Sequence, residues 1–212
     1  MATARLSQSQ RESLEKDASR FETDLPNSPA MDYLDGRGVT SLVASTFRLG
    51  YDREQSMLAI PYLTPAGVVN MKWRRLDDEQ PKYLGLPGAP TRLFNVLALS
   101  KAQDGVAICE GELDAITLDG CVGVPAVGVS GTTAWRPFYG RIFEGYRHVW
   151  IFADNDRKDD GSNPGWELVK AVLKSVPHAT PVSLPPNVDV NQLYLNEGAE
   201  AVRSLIATKV GA

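Results

Sequence analysis

The sequence predicts an α/β chain: a parallel sheet flanked by helices, preceded by a smaller α+β subdomain that carries a basic hairpin. Three observations predict it. From Val106 onward short apolar runs alternate with helical patterns, which is the order of a parallel sheet with helices on both faces. Two of those runs, Val106-Ala107-Ile108-Cys109 and Val149-Trp150-Ile151-Phe152-Ala153, have the length and β-branched character of buried strands. Ahead of them, two β-rich stretches flank the turn Thr64-Pro65-Ala66-Gly67, a hairpin signal.

The elements follow in order. Ser7 to Leu25 reads as an amphipathic helix, with Ser7 as cap and Gln10 completing a capping box. Leu14, Phe21 and Leu25 share a face with Ala18 between them, and Pro26 stops the helix. The segment 1–27 is acidic and has no evident partner, so it is expected to be a loosely docked helical arm. Ser28-Pro29 starts a second helix that ends near Gly36. A third runs Ser41 to Phe47, capped by Thr40. The hairpin pairs Met57–Tyr62 with Val68–Arg75. Asp77 to Pro90, rich in Pro, Gly and charge, reads as loop. An α+β subdomain over 28–103 and an α/β domain over 104–212 result. In the latter the expectations are a short helix Glu112–Leu118, a strand Val122–Val129, a helix Gly165–Val176, a strand Pro181–Leu184 and a C-terminal helix Glu197–Lys209.

Composition excludes several classes. In 212 residues no apolar run approaches the ~20 needed to cross a bilayer, and the polar N-terminus lacks an apolar signal core. The expected location is therefore the cytoplasm. The two cysteines, Cys109 and Cys121, form no Cys-x-x-Cys pair and lie far from His148 and His178, so no zinc site of the usual kind is expected. The net charge of −4 conceals an asymmetry. Residues 37–101 hold nine basic and five acidic side chains; residues 102–212 hold nine basic and fourteen acidic. A basic middle beside an acidic half fits an anionic polymer on one and a cation on the other, but charge counts alone equally describe a solvated surface.

The acidic residues carry the chemistry. Glu110-Gly111-Glu112-Leu113-Asp114 follows one buried run, and Asp154-Asn155-Asp156 follows the other. Loops at the carboxyl ends of parallel strands are where open α/β sheets place ligands. Gly111 permits a tight turn. Asp114 stands four residues beyond Glu110, so a helix starting at once puts both carboxylates on one face. Asp154 and Asp156, two apart on extended backbone, point the same way. Carboxylates converging in this manner repel each other unless a hard cation, Mg²⁺ or Mn²⁺, fills the pocket, and such cations serve phosphoryl transfer. Either cluster alone also fits carboxylates at a helix N-terminus or a surface Asx turn. Asp189 fits a further ligand at the same edge and, as well, a helix cap. The turn Ser130-Gly131-Thr132-Thr133 fits a phosphate cradle built on Gly131 and Thr132, or an ordinary turn.

Lys72 and Arg74 share one face of their strand, with Trp73 on the other, and Lys82-Tyr83 follows. Basic side chains interleaved with aromatics suit single-stranded nucleic acid; a strand with an exposed polar face and a core Trp73 has the same pattern.

Glu-Gly-x-x-Asp after one strand and Asp-x-Asp after another resembles the Toprim domain of topoisomerases and bacterial-type primases. Upstream, Tyr33-Leu34-Asp35-Gly36-Arg37-Gly38-Val39, Phe47-Arg48-Leu49-Gly50-Tyr51, Ile60-Pro61-Tyr62 and Pro81-Lys82-Tyr83-Leu84 occur in the order found in the polymerase core of DnaG-type primases, phage ones included. The resemblance covers roughly Met31 to Ile206. It implies that Glu110, Asp154 and Asp156 form a metal-dependent catalytic cluster supported by Asp114, that Asp189 is the acidic residue of the last motif, and that Arg37, Lys72, Arg74, Lys82 and Tyr83 guide template and nucleotide.

The same resemblance implies synthesis of short RNA primers from nucleoside triphosphates on single-stranded DNA, with Mg²⁺ or Mn²⁺ and no zinc, in the cytoplasm of a bacterial host. The family's zinc-binding module and helicase-linked domain have no counterpart here, so a separate zinc-binding primase chain and the replicative helicase are the expected partners. The glycine that usually closes the Asp-x-Asp motif is displaced to Gly165 by Arg157–Pro164. Two rivals share the motifs: a Toprim nuclease using the same metals, and a non-catalytic accessory that grips single strands.

Overall fold

A computed structural model describes residues 6–131, 133–154 and 163–210, with side chains described to residue 207. The chain divides into two compact units, residues 1–91 and 92–212.

The first unit is built on an antiparallel sheet of order β1-β2-β3-β4, comprising Gly50–Asp52, Met57–Thr64, Gly67–Arg75 and Tyr83–Gly85. The expected hairpin is β2–β3, with Ile60 opposite Lys72 and Ala59 opposite Trp73. Helix α1 (Gln8–Asp24) has the predicted capping box on Ser7 and Gln10. It is not a loose arm. Leu14, Ala18 and Phe21 are buried in one cluster with Ala59, Val68 and Met71, and Phe21 meets Trp73 edge-on at 6.4 Å. Gly50 lets the backbones close up, since a Cβ there would lie 2.5 Å from the Phe21 carbonyl carbon. The helix thus supplies the apolar face that covers the sheet, which a sequence lacking its partner strand in view does not reveal. Helices α2 (Pro29–Gly36) and α3 (Ser41–Thr46) begin on the expected caps, Ser28 and Thr40. Within the expected loop 77–90 lies β4, held by pairing of Leu84 with Trp73 and of Tyr83 with Arg74.

The second unit carries the predicted parallel sheet. Its order is β6-β5-β7-β8, from Ala126–Gly128, Gly105–Cys109, His148–Phe152 and Thr180–Val182. Cys109 pairs with Gly128 on one side and Phe152 on the other, so the carboxyl ends of β5, β6 and β7 finish level. Short helices α4 (Ala98–Lys101), α5 (Glu112–Ile116) and α6 (Gly140–Phe143), with the longer α7 (Pro164–Leu173) and α8 (Val190–Val210), complete it. Val106, Ile108, Val149 and Ile151 pack against Leu168, Val172 and Phe143 in its core.

Two boundaries differ most from expectation. The apolar run Val122–Val129 is a strand only over Ala126–Gly128. Its first part ends a wider helical turn, Thr117–Val122, which Gly123 closes at φ 80°. Arg203 donates to the Val122 carbonyl at 2.7 Å, so the run is buried as a helix end. The C-terminal helix starts earlier, at Val190, and Gly198 (φ 84°, ψ 175°) breaks it just where the second half was expected to begin. No helix among the described residues is long and apolar enough to cross a membrane.

Candidate active site

Glu110 and Asp154 owe their places to strand ends. β5 delivers Glu110, and Gly111, extended at φ −129° and ψ 169°, turns the chain into α5. Gly111 is itself seated on Gly128, where a Cβ would come within 2.7 Å of the Gly111 carbonyl oxygen. β7 delivers Ala153 and Asp154. Gly165, the second residue of α7, closes on Asp154 so tightly that a Cβ would lie 2.1 Å from the Asp154 carbonyl oxygen. The displaced family glycine therefore still packs against the motif it is expected to close.

Asp114 is the electrostatic hub. Burial, then the charges of Asp154, Asp189 and Glu110, push its carboxyl well above the usual carboxylate range, and only the backbone N–H of Asn191 pulls it back. The charges of three predicted site residues, Glu110, Asp154 and Asp189, thus all reach a fourth, Asp114. The buried Cys109 thiol is pushed up by burial and by Asp114, Glu112 and Asp154, so it stays protonated. Asp189 is a helix cap, one of the two readings the sequence allowed. Its Oδ1 accepts from the Gln192 N–H at 2.6 Å as a helix cap, and its charge reaches Asp114.

Supporting residues escaped the sequence reading. Asn191 is buried and donates through Nδ2 to Thr117 Oγ1 at 3.0 Å, while the Thr117 hydroxyl donates to the Leu113 carbonyl at 2.8 Å. Glu112 is buried, with the Ser130 hydroxyl 3.3 Å from its Oε1. The signals were their places, two residues beyond Asp189 and inside the first acidic motif. In the expected Gly131–Thr132 cradle, the Gly131 N–H is already used, donating to the carbonyls of Val129 (2.7 Å) and Glu110 (3.3 Å). Asp156 and Thr132 lie outside the described residues. Among the described residues no three His, Cys, Asp or Glu form a ready ion cage. The oxygen-only donors and their mutual repulsion nonetheless suit a hard divalent cation.

The first unit gathers the basic residues around two tyrosines. The Arg74 guanidinium lies 4.1 Å from the centre of the Tyr33 ring and 5.9 Å from that of Tyr83. Arg37 approaches Tyr33 at 5.4 Å and Lys72 approaches Tyr83 at 5.3 Å. Lys82 is exposed. Arg74 does not project to solvent as expected of a phosphate contact: it is 5 % exposed and donates to the Arg75 carbonyl at 2.8 Å. Pairing of β3 with β4 places Tyr83 opposite it, which buries the cation between rings. Tyr33, in the first of the upstream motifs, thus meets both Arg37 and Arg74.

No family model matches the chain. The Gene 57 protein of Mycobacterium phage D29 is 42 % identical over 150 residues, covering 68 % of this chain and 94 % of that protein. The chain belongs to the family of that phage protein. The DNA primase of Pseudomonas aeruginosa is 24 % identical over 84 % of this chain, and the match takes in 34 % of the primase, so the chain spans about a third of that relative's length. Among solved structures, the zinc-binding and RNA polymerase domains of the Aquifex aeolicus primase align at a TM-score of 0.80, with 21 % identity over 96 % of this chain and 62 % of that one. A DnaG primase catalytic domain bound to single-stranded DNA aligns at 0.77, with 19 % identity over 95 % and 80 %. The fold is that of the DnaG primase catalytic core, as the motif order implied.

Proposed function

We propose that this chain is the polymerase core of a DnaG-type primase, joining ribonucleoside triphosphates on a single-stranded DNA template and releasing pyrophosphate. The single observation that carries the reading is the crowding of Glu110, Asp114, Asp154 and Asp189 at one edge of a parallel sheet whose fold is that of primase cores. A relative of that fold binds single-stranded DNA, which supports the same template here. Asp154, with Asp156, Glu110 and Asp189, would hold Mg²⁺ or Mn²⁺; when bound, the cation neutralises charge on the triphosphate and activates the attacking oxygen.

The chain's own residues do the rest. Glu110 accepts the proton of the attacking 3′-hydroxyl or shares the cation. Asp114, held by the Asn191 N–H and flanked by three carboxylates, sets the field in which they work. In the first unit Lys72, Arg37 and the exposed Lys82 attract the template's phosphates, while Arg74 keeps Tyr33 and Tyr83 in place. The basic, aromatic-bearing segment ahead of the acidic motifs favours a template-guided polymerase over a nuclease, and an Asp114 carboxyl raised by burial and by the charges of Asp154, Asp189 and Glu110 favours a working site over a mere grip on single strands. A separate zinc-bearing chain and the replicative helicase complete the assembly in the host cytoplasm.

The experiment is direct: purified protein, single-stranded DNA, labelled nucleoside triphosphates and Mn²⁺. Short RNA that vanishes with Asp154→Asn supports the reading. No RNA, with or without a supplied primer, overturns it.

A further inference from the structure

The second unit exposes few large apolar side chains among its described residues, and one borders the catalytic edge. Trp166 is 53 % exposed at the start of α7. With Asp154, Gly165, Pro181, Ser183 and Leu184 it lines a small cleft at the carboxyl ends of β7 and β8. Its offset from Asp154 is fixed. Gly165 touches the Asp154 backbone, the Trp166 N–H donates to Asn163 (3.1 Å to the carbonyl, 3.3 Å to Oδ1), and Leu168 and Val172 seat the helix in the core.

A half-exposed indole presents a flat apolar face on which a ligand ring can stack. The lining of the cleft is mixed, polar at Asp154 and Ser183 and apolar at Pro181, Val182 and Leu184. A nucleotide is mixed in the same way, with charged phosphates and a flat base. Stacking on a tryptophan is tolerant of base identity because every base has a π-face, which suits an enzyme whose template chooses the nucleotide.

We propose that Trp166 is the stacking platform for the base of a nucleoside triphosphate whose phosphates lie at the Asp154 edge. The inference rests on the primase reading and adds to it a residue that no catalytic motif contains. Trp166 contributes binding, not chemistry.

Calorimetric titration with ATP and with tripolyphosphate, each with Mn²⁺, tests it on wild type, Trp166→Ala and Trp166→Phe. The expected result is an approximately tenfold weaker Kd for ATP in Trp166→Ala, near-wild-type affinity in Trp166→Phe, and unchanged tripolyphosphate binding in all three. Equal ATP affinity in Trp166→Ala overturns the inference, as does equal weakening of both ligands, which marks a structural role. In either case the primase reading survives because wild type still binds ATP. Binding of neither ligand by wild type overturns both readings.

Discussion

The backbone N–H of Asn191, in the first turn of α8, donates to the carboxylate of Asp114 on α5. The last acidic motif is thereby tied to the first. Asn191 is buried and bonded to Thr117, so the tie is rigid. Burial first, and then the neighbouring like charges, raise the Asp114 pKa, and an ionised carboxyl there opposes folding.

Asp114→Asn should therefore stabilise the metal-free protein while impairing synthesis. A neutral side chain of the same shape keeps the acceptor for the Asn191 N–H and removes the repulsion. Relief of ~1 kcal/mol raises Tm by roughly 2–4 °C in a chain of this size. Calorimetry without divalent ions checks the first part and a primer assay the second. A lower Tm for the variant contradicts the crowded arrangement.

Asp154→Asn should abolish activity with the fold intact, because an amide is a poor ligand for a hard cation. Millimolar Mn²⁺ should raise the wild-type Tm through binding to the folded state, and raise that of the variant less. Melting curves against Mn²⁺ concentration decide; identical responses move the cation elsewhere.

In the first unit, Arg74 and Lys82 should separate by phenotype. Arg74→Ala removes a buried cation from between two rings, which costs stability of order 1–3 kcal/mol. Lys82→Ala leaves stability within ~0.5 kcal/mol and reduces the salt slope of single-strand binding by about 0.7. Denaturant titrations and salt-dependent binding read the two. A Lys82→Ala slope equal to wild type removes it from the template track.

Legibility tracked locality. β5, β7 and the caps on Ser7, Ser28 and Thr40 are written within a few residues, and they stand where the sequence put them. Glu110 and Asp154 stood out because each follows the carboxyl end of one of two neighbouring parallel strands. What needed a distant partner was not legible. β4 is hidden by its Pro and Gly content until β3 pairs with it. The run from Val122 is buried as a helix end because Arg203, far along the chain, holds it. Arg74 reads as exposed until Tyr33 and Tyr83 enclose it, and α1 reads as an arm until Trp73 meets Phe21.

The α1 contact gives a pH prediction. Glu15 Oε1 pairs with Arg48, and Oε2 accepts from the Val68 N–H at 3.3 Å, so one carboxylate joins α1 to β3 and to the turn after α3. Burial raises the Glu15 pKa, but Arg48 and the Val68 N–H outweigh it, and the net shift is downward. A depressed carboxyl contributes stability that is fully present above the unfolded value of about 4.3 and is lost as pH falls through the lower folded value. Glu15→Gln should thus have a lower Tm than wild type at pH 7, and the gap should close below about pH 4. A gap that persists in acid assigns the contact to packing alone.

Gly128 and Gly165 carry the last prediction, because each lets a backbone come close to the site. A Cβ at Gly165 meets the Asp154 carbonyl oxygen at 2.1 Å, and one at Gly128 meets that of Gly111 at 2.7 Å. Neither neighbour is a flexible side chain, so the backbone itself has to move. Overpacking of this kind costs typically 1–3 kcal/mol. The displaced atoms are those that aim Asp154 and Glu110, so activity should fall beyond what the lost stability explains. Gly165→Ala should be worse than Gly128→Ala, its contact being shorter. Gly145, with no atom within 4 Å of its Cβ position, is the control, and Gly145→Ala should change neither quantity much. Primer synthesis assayed at a temperature where all three variants are folded, beside their denaturant midpoints, separates aim from stability. A folded Gly165→Ala protein with wild-type activity shows that Asp154 does not depend on that close approach.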